Sequence, residues 1–374
     1  MNSQTIIIGA SAAGLACAAH LKKRGLDFIL LEKSDRVAQS WRNHYDRLHL
    51  HTHKGASNLP FLKFPKNTPK YPSKQQVIDY LENYAKNMAI NPRFNCEVTK
   101  VQVEKGTWIT KTQSGEKYES QNVIFCTGYA NTPRSLVKPG LDSFPGKVIH
   151  SSEYKNGSEF NGKKVLVIGF GNSACEIAID LHEHGAETFM SVRSPVNIIP
   201  KEILGIPVLT IGIFQSNFPP RISDKLNKPL LKFLIGDFTK YGLRKLPYGP
   251  REQIVNHHQI PLLDLGTLDL IKKGFIKIHD DIKNIKGNNV QFQDGFASEF
   301  DTIVYGTGYQ RGLEKMIDLT LEEKKSLESS VKNRVDLGSR GLYFCGLYVS
   351  PTGMLREISI ESKIIADHIT ERSK

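Results

Sequence analysis

The chain has 374 residues, 39% hydrophobic and 24% charged, with a formal net charge of +12. That balance belongs to a folded protein of two or three domains and excludes a disordered, collagen-like or coiled-coil chain. The five cysteines form no C-x-x-C pair and Lys and Arg form no long run, which argues against a disulfide framework, a zinc finger, a redox dithiol or a nucleic-acid module, and in favour of anionic small molecules as ligands.

Residues 5–8 are an apolar run that predicts a buried strand. Residues 9–14 form a glycine-containing turn, residues 15–25 a helix with small residues at 16, 18 and 19, and residues 28–31 a second strand ending at Glu32. This is a βαβ unit of the length that binds a dinucleotide. The apolar start runs straight into glycine without a basic segment, unlike a signal peptide. Residues 33–75 read as loops. The spacing of Val77, Ile78, Leu81, Tyr84 and Met88 predicts a helix over 74–88. Short strands are expected over 94–125.

The pattern then starts again. Residues 165–168 predict a strand, 169–174 a turn, 175–184 a helix and 189–192 a strand that ends at Arg193. The echo extends to Thr127-Gly128-Tyr129 and Thr307-Gly308-Tyr309, so the chain holds a divergent internal repeat. Residues 200–260 fit neither copy and read as an insertion with an amphipathic helix around 226–238. Its longest apolar stretch, 203–214, is too short to cross a bilayer, and the apolar residues of 203–238 are expected to be core rather than membrane contacts. The tail predicts a strand over 342–345 and a helix over 358–369, returning to the first domain.

Two motifs carry chemistry. In Gly9-Ala10-Ser11-Ala12-Ala13-Gly14 the first and third glycines of a phosphate-binding turn are present, and Ser11 stands at the second. Glu32, 23 residues after Gly9, sits where a carboxylate accepts bonds from a ribose. In Gly169-Phe170-Gly171-Asn172-Ser173-Ala174 the first two glycines are present and Ala174 takes the third place. Arg193 occupies the position equivalent to Glu32. An acid there favours a free 2′-hydroxyl, and an arginine offers a bidentate partner for a 2′-phosphate. The first turn therefore reads as an FAD site and the second as an NADPH site. A solvated strand-end charge at 193 is the competing reading.

At this point the sequence resembles the flavin-containing monooxygenase family, and within it the YUCCA-type branch. Phe144-Pro-Gly146-Lys-Val-Ile-His150-Ser-Ser-Glu-Tyr154 matches the pattern F-x-G-x-x-x-H-x-x-x-(F/Y/W). Ser40-Trp41, residues 45–51, residues 71–76, Pro200-Lys201-Glu202, Gly249-Pro250 and residues 263–266 are similar too, so the resemblance runs from about residue 5 to 369. Gly306, at the alanine of the family's A-T-G-Y segment, departs from it, as Ser11 does.

The resemblance implies an α/β fold of two Rossmann-like dinucleotide-binding domains, the second inserted into the first. Residues 1–156 and 304–374 would bind FAD, and residues 157–303 NADPH, with an insertion near 200–260. It also implies an NADPH-driven monooxygenase that oxygenates a small organic substrate through a C4a-(hydro)peroxyflavin, with oxidative decarboxylation of an arylpyruvate as the specific reading. FAD contacts fall to Gly9, Ser11, Gly14, Glu32 and Trp41. NADPH contacts fall to Gly169, Gly171, Asn172, Ser173 and Arg193. Asn58 takes the catalytic role of an asparagine that holds the oxygenated flavin. No metal is expected, and His49, His51 and His53 read as packing or polar contacts. The partners are a small molecule and dioxygen, without nucleic acid or stable membrane insertion. The location is cytoplasmic, and a homodimer is compatible with such an enzyme. Two alternatives stay open: an NADPH oxidase or flavin reductase that makes hydrogen peroxide, and a nucleotide-binding sensor without turnover.

Overall fold

The computed structural model describes residues 2–129, 131–134, 137–318, 327, 331, 341–350 and 352–373. The chain divides into two compact units. Residues 1–42, 52–132 and 310–374 form the first, and residues 43–51 and 133–309 form the second.

In the first unit, β1 (Asn2–Ile8) leads through α1 (Ala12–Lys23) to β2 (Phe28–Leu31). The two strands run parallel, with Ile6 opposite Ile29 and Ile8 opposite Leu31. Ile6 and Ile7 point to opposite faces and are both fully buried, as a strand covered on both sides requires. α1 is buried from Ala12 to Leu21, and its small residues allow close packing on every side.

α2 (Lys74–Asn87) starts at a capping box. The Gln76 N–H donates to the Ser73 hydroxyl at 3.3 Å, and the Ser73 N–H donates to the Gln76 side chain at 2.9 Å. Such a start is worth about 1 kcal/mol. β3 (Val98–Glu104), β4 (Thr107–Thr112) and β5 (Lys117–Phe125) form an antiparallel meander, and β5 also runs parallel to β1 with Phe125 opposite Ile8.

The second unit contains β6 (Lys147–His150), β7 (Lys164–Ile168), α3 (Asn172–Glu183), β8 (Glu187–Ser191), β9 (Ile276–His279) and β10 (Thr302–Tyr305). Their order in the sheet is β9-β8-β7-β10-β6, parallel throughout. Leu166, Ile168, Phe189, Phe292 and Phe300 fill the core beside it. β6 lies before residue 156, the expected boundary, yet pairs here because β10 offers it an open edge, with Ile149 opposite Val304.

The chain then returns to the first unit as β11 (Leu342–Phe344), parallel to β5 with Leu342 opposite Val123, and as α4 (Met354–Arg372), which packs on α1. The result is the expected α/β architecture of two Rossmann-like dinucleotide-binding folds, residues 133–309 inserted into the first.

The insertion helix spans Pro220–Ile235, earlier than the expected 226–238, because Pro220 opens it and Gly236, at φ +75°, ends it. The expected burial of its apolar residues is corrected. Leu209, Ile235 and Phe238 are buried, but Leu204, Phe214, Ile222, Leu226, Leu230 and Phe233 are exposed.

Candidate cofactor sites

β1 delivers the chain to Gly9 at φ +102°, a conformation open to glycine. A Cβ there would lie 2.7 Å from the Cys126 carbonyl oxygen, and a Cβ on Gly14 would overlap the Gly9 carbonyl. Gly9 thus makes the bend and Gly14 lets α1 approach it. Ser11 is the residue before α1. Its hydroxyl makes no cap bond and lies 3.1 Å from the Ser40 hydroxyl. The first amides of α1 therefore have no side-chain cap, which suits a phosphate.

Glu32, 7% exposed, accepts from the Ala10 N–H at 2.7 Å and the Ser34 N–H at 3.0 Å, one on each oxygen. A carboxylate offers about four acceptor sites. The two bonds aim the group and leave capacity for ribose hydroxyls. Trp41 is half-buried and its N–H donates to the Ala38 carbonyl at 3.0 Å. Asn58 ties a loop together: its Oδ1 accepts from the Phe64 N–H at 2.8 Å and its Nδ2 donates to the Gly55 carbonyl at 3.2 Å.

Close to this turn, the sulfurs of Cys17, Cys126 and Cys345 lie within 4.8 Å of one another. Burial drives the Cys126 and Cys345 thiols well up, and the Cys126 thiol does the same to Cys17. They pack as small neutral hydrophobes.

The second turn repeats the first with different details. Gly169 has φ +117°, and a Cβ there would lie 2.5 Å from the Gly306 carbonyl oxygen. Gly171 precedes α3 without a side-chain cap, and a Cβ on it would enter open space. A Cβ on Gly306 would lie 2.5 Å from the Ala174 Cβ. Ala174, in the third place of the turn, and the family departure Gly306 are thus partners: where position 174 carries a methyl, position 306 carries none.

Asn172 braces the turn by accepting from the Leu263 N–H at 2.8 Å. Arg193 is exposed beyond β8. The Arg244 guanidinium donates to the Arg193 carbonyl and to Asp280, at 3.2 Å for the latter. Arg244 is a second cation at this strand end. It stands 51 residues away in sequence, with no local signal to point to it.

The sequence reading also missed a buried carboxylate behind the turn. Glu176, 2% exposed, accepts from the Tyr45 hydroxyl at 3.1 Å and lies 2.6 Å from His51 Nε2. Burial pushes the ionisation of Tyr45 well up. An acid inside the apolar run Ala174-Cys175-Glu176-Ile177-Ala178 was the available signal. Of the other alternating histidines, His49 meets the Arg47 carbonyl at 2.8 Å, and His53 is shifted down by burial and Lys70.

The F-x-G-x-x-x-H-x-x-x-Y residues all brace the second unit. Phe144 enters its core. Gly146 passes so close to the Asp301 carbonyl that a Cβ would overlap it. His150 Nε2 lies 3.1 Å from the Gly308 carbonyl, and the Tyr154 hydroxyl donates to Asp180 at 2.6 Å.

The uncapped helix starts, the glycine-only bends, the open space at Gly171 and the opposite charges at 32 and 193 fit two dinucleotides of different ribose chemistry. These folds and turns define a protein built to carry two nucleotides. Residues 6–201 match the family model of the pyridine nucleotide-disulphide oxidoreductases.

The chain is 40% identical over 310 residues to the probable indole-3-pyruvate monooxygenase YUCCA1 of Arabidopsis thaliana, covering 82% of this chain and 75% of that protein. It is 39% identical to the indole-3-pyruvate monooxygenase YUCCA1 of Oryza sativa subsp. japonica, covering 82% and 76%. The fold matches a flavin-containing monooxygenase from Stenotrophomonas maltophilia (TM-score 0.72, 18% identity, 100% and 99% covered) and cyclohexanone monooxygenase in an open crystal form (TM-score 0.79, 16% identity, 100% and 88% covered).

The chain belongs to the flavin-containing monooxygenase family, in its YUCCA branch. It is an NADPH- and FAD-dependent monooxygenase. FAD held at the Gly9–Gly14 turn and NADPH at the Gly169–Ala174 turn would supply hydride transfer and the activation of dioxygen.

Proposed function

We propose that this enzyme converts an arylpyruvate of the indole-3-pyruvate kind into the arylacetate one carbon shorter. The carrying observation is the 40% identity to the Arabidopsis indole-3-pyruvate monooxygenase over 82% of the chain. The overall reaction balances: arylpyruvate, NADPH, a proton and dioxygen give arylacetate, carbon dioxide, NADP⁺ and water. One oxygen atom enters the new carboxylate and the other leaves as water.

The chain's own residues bind and orient. The α1 start with Gly9, Ser11 and Gly14 receives the FAD pyrophosphate, Glu32 the ribose, and Trp41 packs by the cofactor. The α3 start with Gly169, Gly171, Asn172 and Ser173 receives the NADPH pyrophosphate, and Arg193 the 2′-phosphate, with Arg244 supporting it. Asn58 serves at the flavin edge, held in orientation by Phe64 and Gly55. The FAD-binding part is the first unit, and the NADPH-binding part is the second, residues 43–51 and 133–309. The five free cysteines suit a reducing cytoplasm.

The test uses purified holoenzyme with NADPH, isotopically heavy dioxygen, indole-3-pyruvate and catalase. Indole-3-acetate carrying one heavy oxygen is expected. NADPH consumption matched by hydrogen peroxide in a parallel run without catalase, with the oxo acid intact in the run that contains it, would make the protein an oxidase. A colourless protein that takes up no FAD would make it a sensor.

A further inference from the structure

The helix Pro220–Ile235 sits with its polar side inward. Ser223 is buried and accepts from Arg251 Nη1 at 2.7 Å. The Asp224 carboxylate accepts from the N–H groups of Arg251 and Glu252 at 3.0 and 2.9 Å. Asn227 exchanges amide bonds with Gln215 at 3.1 and 2.9 Å. At about 100° per residue, these residues share one side of the helix with Leu231 and the buried Ile235.

The opposite side carries Ile222, Leu226, Leu230 and Phe233, spaced 4, 4 and 3 residues apart and exposed by 51%, 70%, 40% and 85%. Arg221, Lys225, Lys228 and Lys232, all exposed, fill the arc along one edge of this stripe. Arg221 pairs with Glu252 at 3.0 Å. A helix on a globular core ordinarily turns its apolar face inward. Here the inward bonds of Ser223, Asp224 and Asn227 hold it the other way round.

We infer that this face docks on an anionic lipid bilayer surface. The helix lies in the plane of the interface, with Ile222, Leu226, Leu230 and Phe233 among the upper acyl chains and the lysines against headgroup phosphates. Charge complementarity selects the occupant. The cationic arc borders the stripe directly, the helix's one acid, Asp224, is engaged on the inward side, and the whole chain carries +12. A second copy seated on the same face would bring two such cationic arcs to one contact. No helix among the described residues is long and apolar enough to cross a membrane, so the mode is surface attachment.

The experiment sediments holoenzyme with vesicles of phosphatidylcholine alone, or with about a third phosphatidylglycerol, at low and high salt. Roughly tenfold more protein is expected on the anionic vesicles, falling as salt screens the lysines. Leu226→Glu and Phe233→Glu should each lower binding by about tenfold. Replacing Lys225, Lys228 and Lys232 together by Glu should remove the preference for anionic lipid. Flavin content and NADPH oxidation in solution should stay at the wild-type level, and Leu226→Gln with Phe233→Gln provides a milder pair should the acidic variants lose flavin.

Absence of binding to anionic vesicles at low salt overturns the inference, as does binding that survives both the apolar and the lysine changes. A dimer seen by light scattering that Leu226→Glu dissolves, without vesicle binding, assigns the face to a second copy instead.

Discussion

Arg193 and Glu32 end the second strand of each repeat with opposite charges, and their surroundings set how each is tested. Arg193 is exposed, with the Asp280-paired Arg244 beside it, so a phosphate bound there would be met by Arg193 with little desolvation cost. Arg193→Ala should raise the KM for NADPH by roughly tenfold to a hundredfold, the size of one or two charge-assisted bonds, and leave the KM for NADH nearly unchanged. Equal loss with both nucleotides in steady-state assays would remove the 2′-phosphate role.

Glu32 also closes the first turn, because its oxygens receive the Ala10 and Ser34 N–H groups. Glu32→Ala should strip flavin on dialysis and lower stability by about 1–3 kcal/mol, since it orphans a buried N–H. Flavin absorbance per chain and thermal unfolding read the two effects separately. Asn58→Ala should release more hydrogen peroxide per NADPH, measured with indole-3-pyruvate present. An unchanged ratio would leave Asn58 as a loop brace alone.

The local elements were legible where their rules are local. The spacing of Val77, Ile78, Leu81 and Tyr84 marks α2, and Gly9 and Gly169 mark bends that only a residue without Cβ makes comfortably. Ala174 and Gly306 were visible as single residues but not as a pair, because 132 positions separate them. Gly306→Ala should cost about 1–3 kcal/mol by overpacking against the Ala174 methyl. Ala174→Gly on that background should recover most of the loss, less about 1 kcal/mol for glycine in a helix. Unfolding midpoints of the two single variants and the double variant check this, and simple additivity would show that the methyls never compete.

The insertion helix teaches the complementary point. Its periodicity announced an amphipathic helix, but spacing says nothing about which side turns inward. That was settled by hydrogen bonds to Gln215, Arg251 and Glu252.

For the whole molecule, the buried histidines set an acid limit. Burial and the adjacent Arg24 lower His20 from 6.5 to about 4, and burial lowers His150 below its usual range. In both cases the unfolded chain binds protons more readily than the folded one. The His20 contribution is therefore complete above pH 6.5 and is lost as pH falls toward 4, and that of His150 falls in the same direction. The unfolding temperature should drop between about pH 7 and pH 5, and His20→Gln should flatten part of that drop. A variant with the same slope as wild type would clear His20 of the effect.

The sequence by itself determined the two βαβ repeats, the glycine bends, the charges that end their second strands and the family. Each of these is written in runs of a few residues, where strand pattern, backbone angle and helix start obey short-range rules. The tertiary structure alone decided the Glu176–Tyr45–His51 cluster, the neighbourhood of Arg193 and Arg244, the match of Ala174 to Gly306, and the outward turn of the insertion helix. Those depend on which distant segments meet, and contact between distant segments leaves no periodic trace in a single chain.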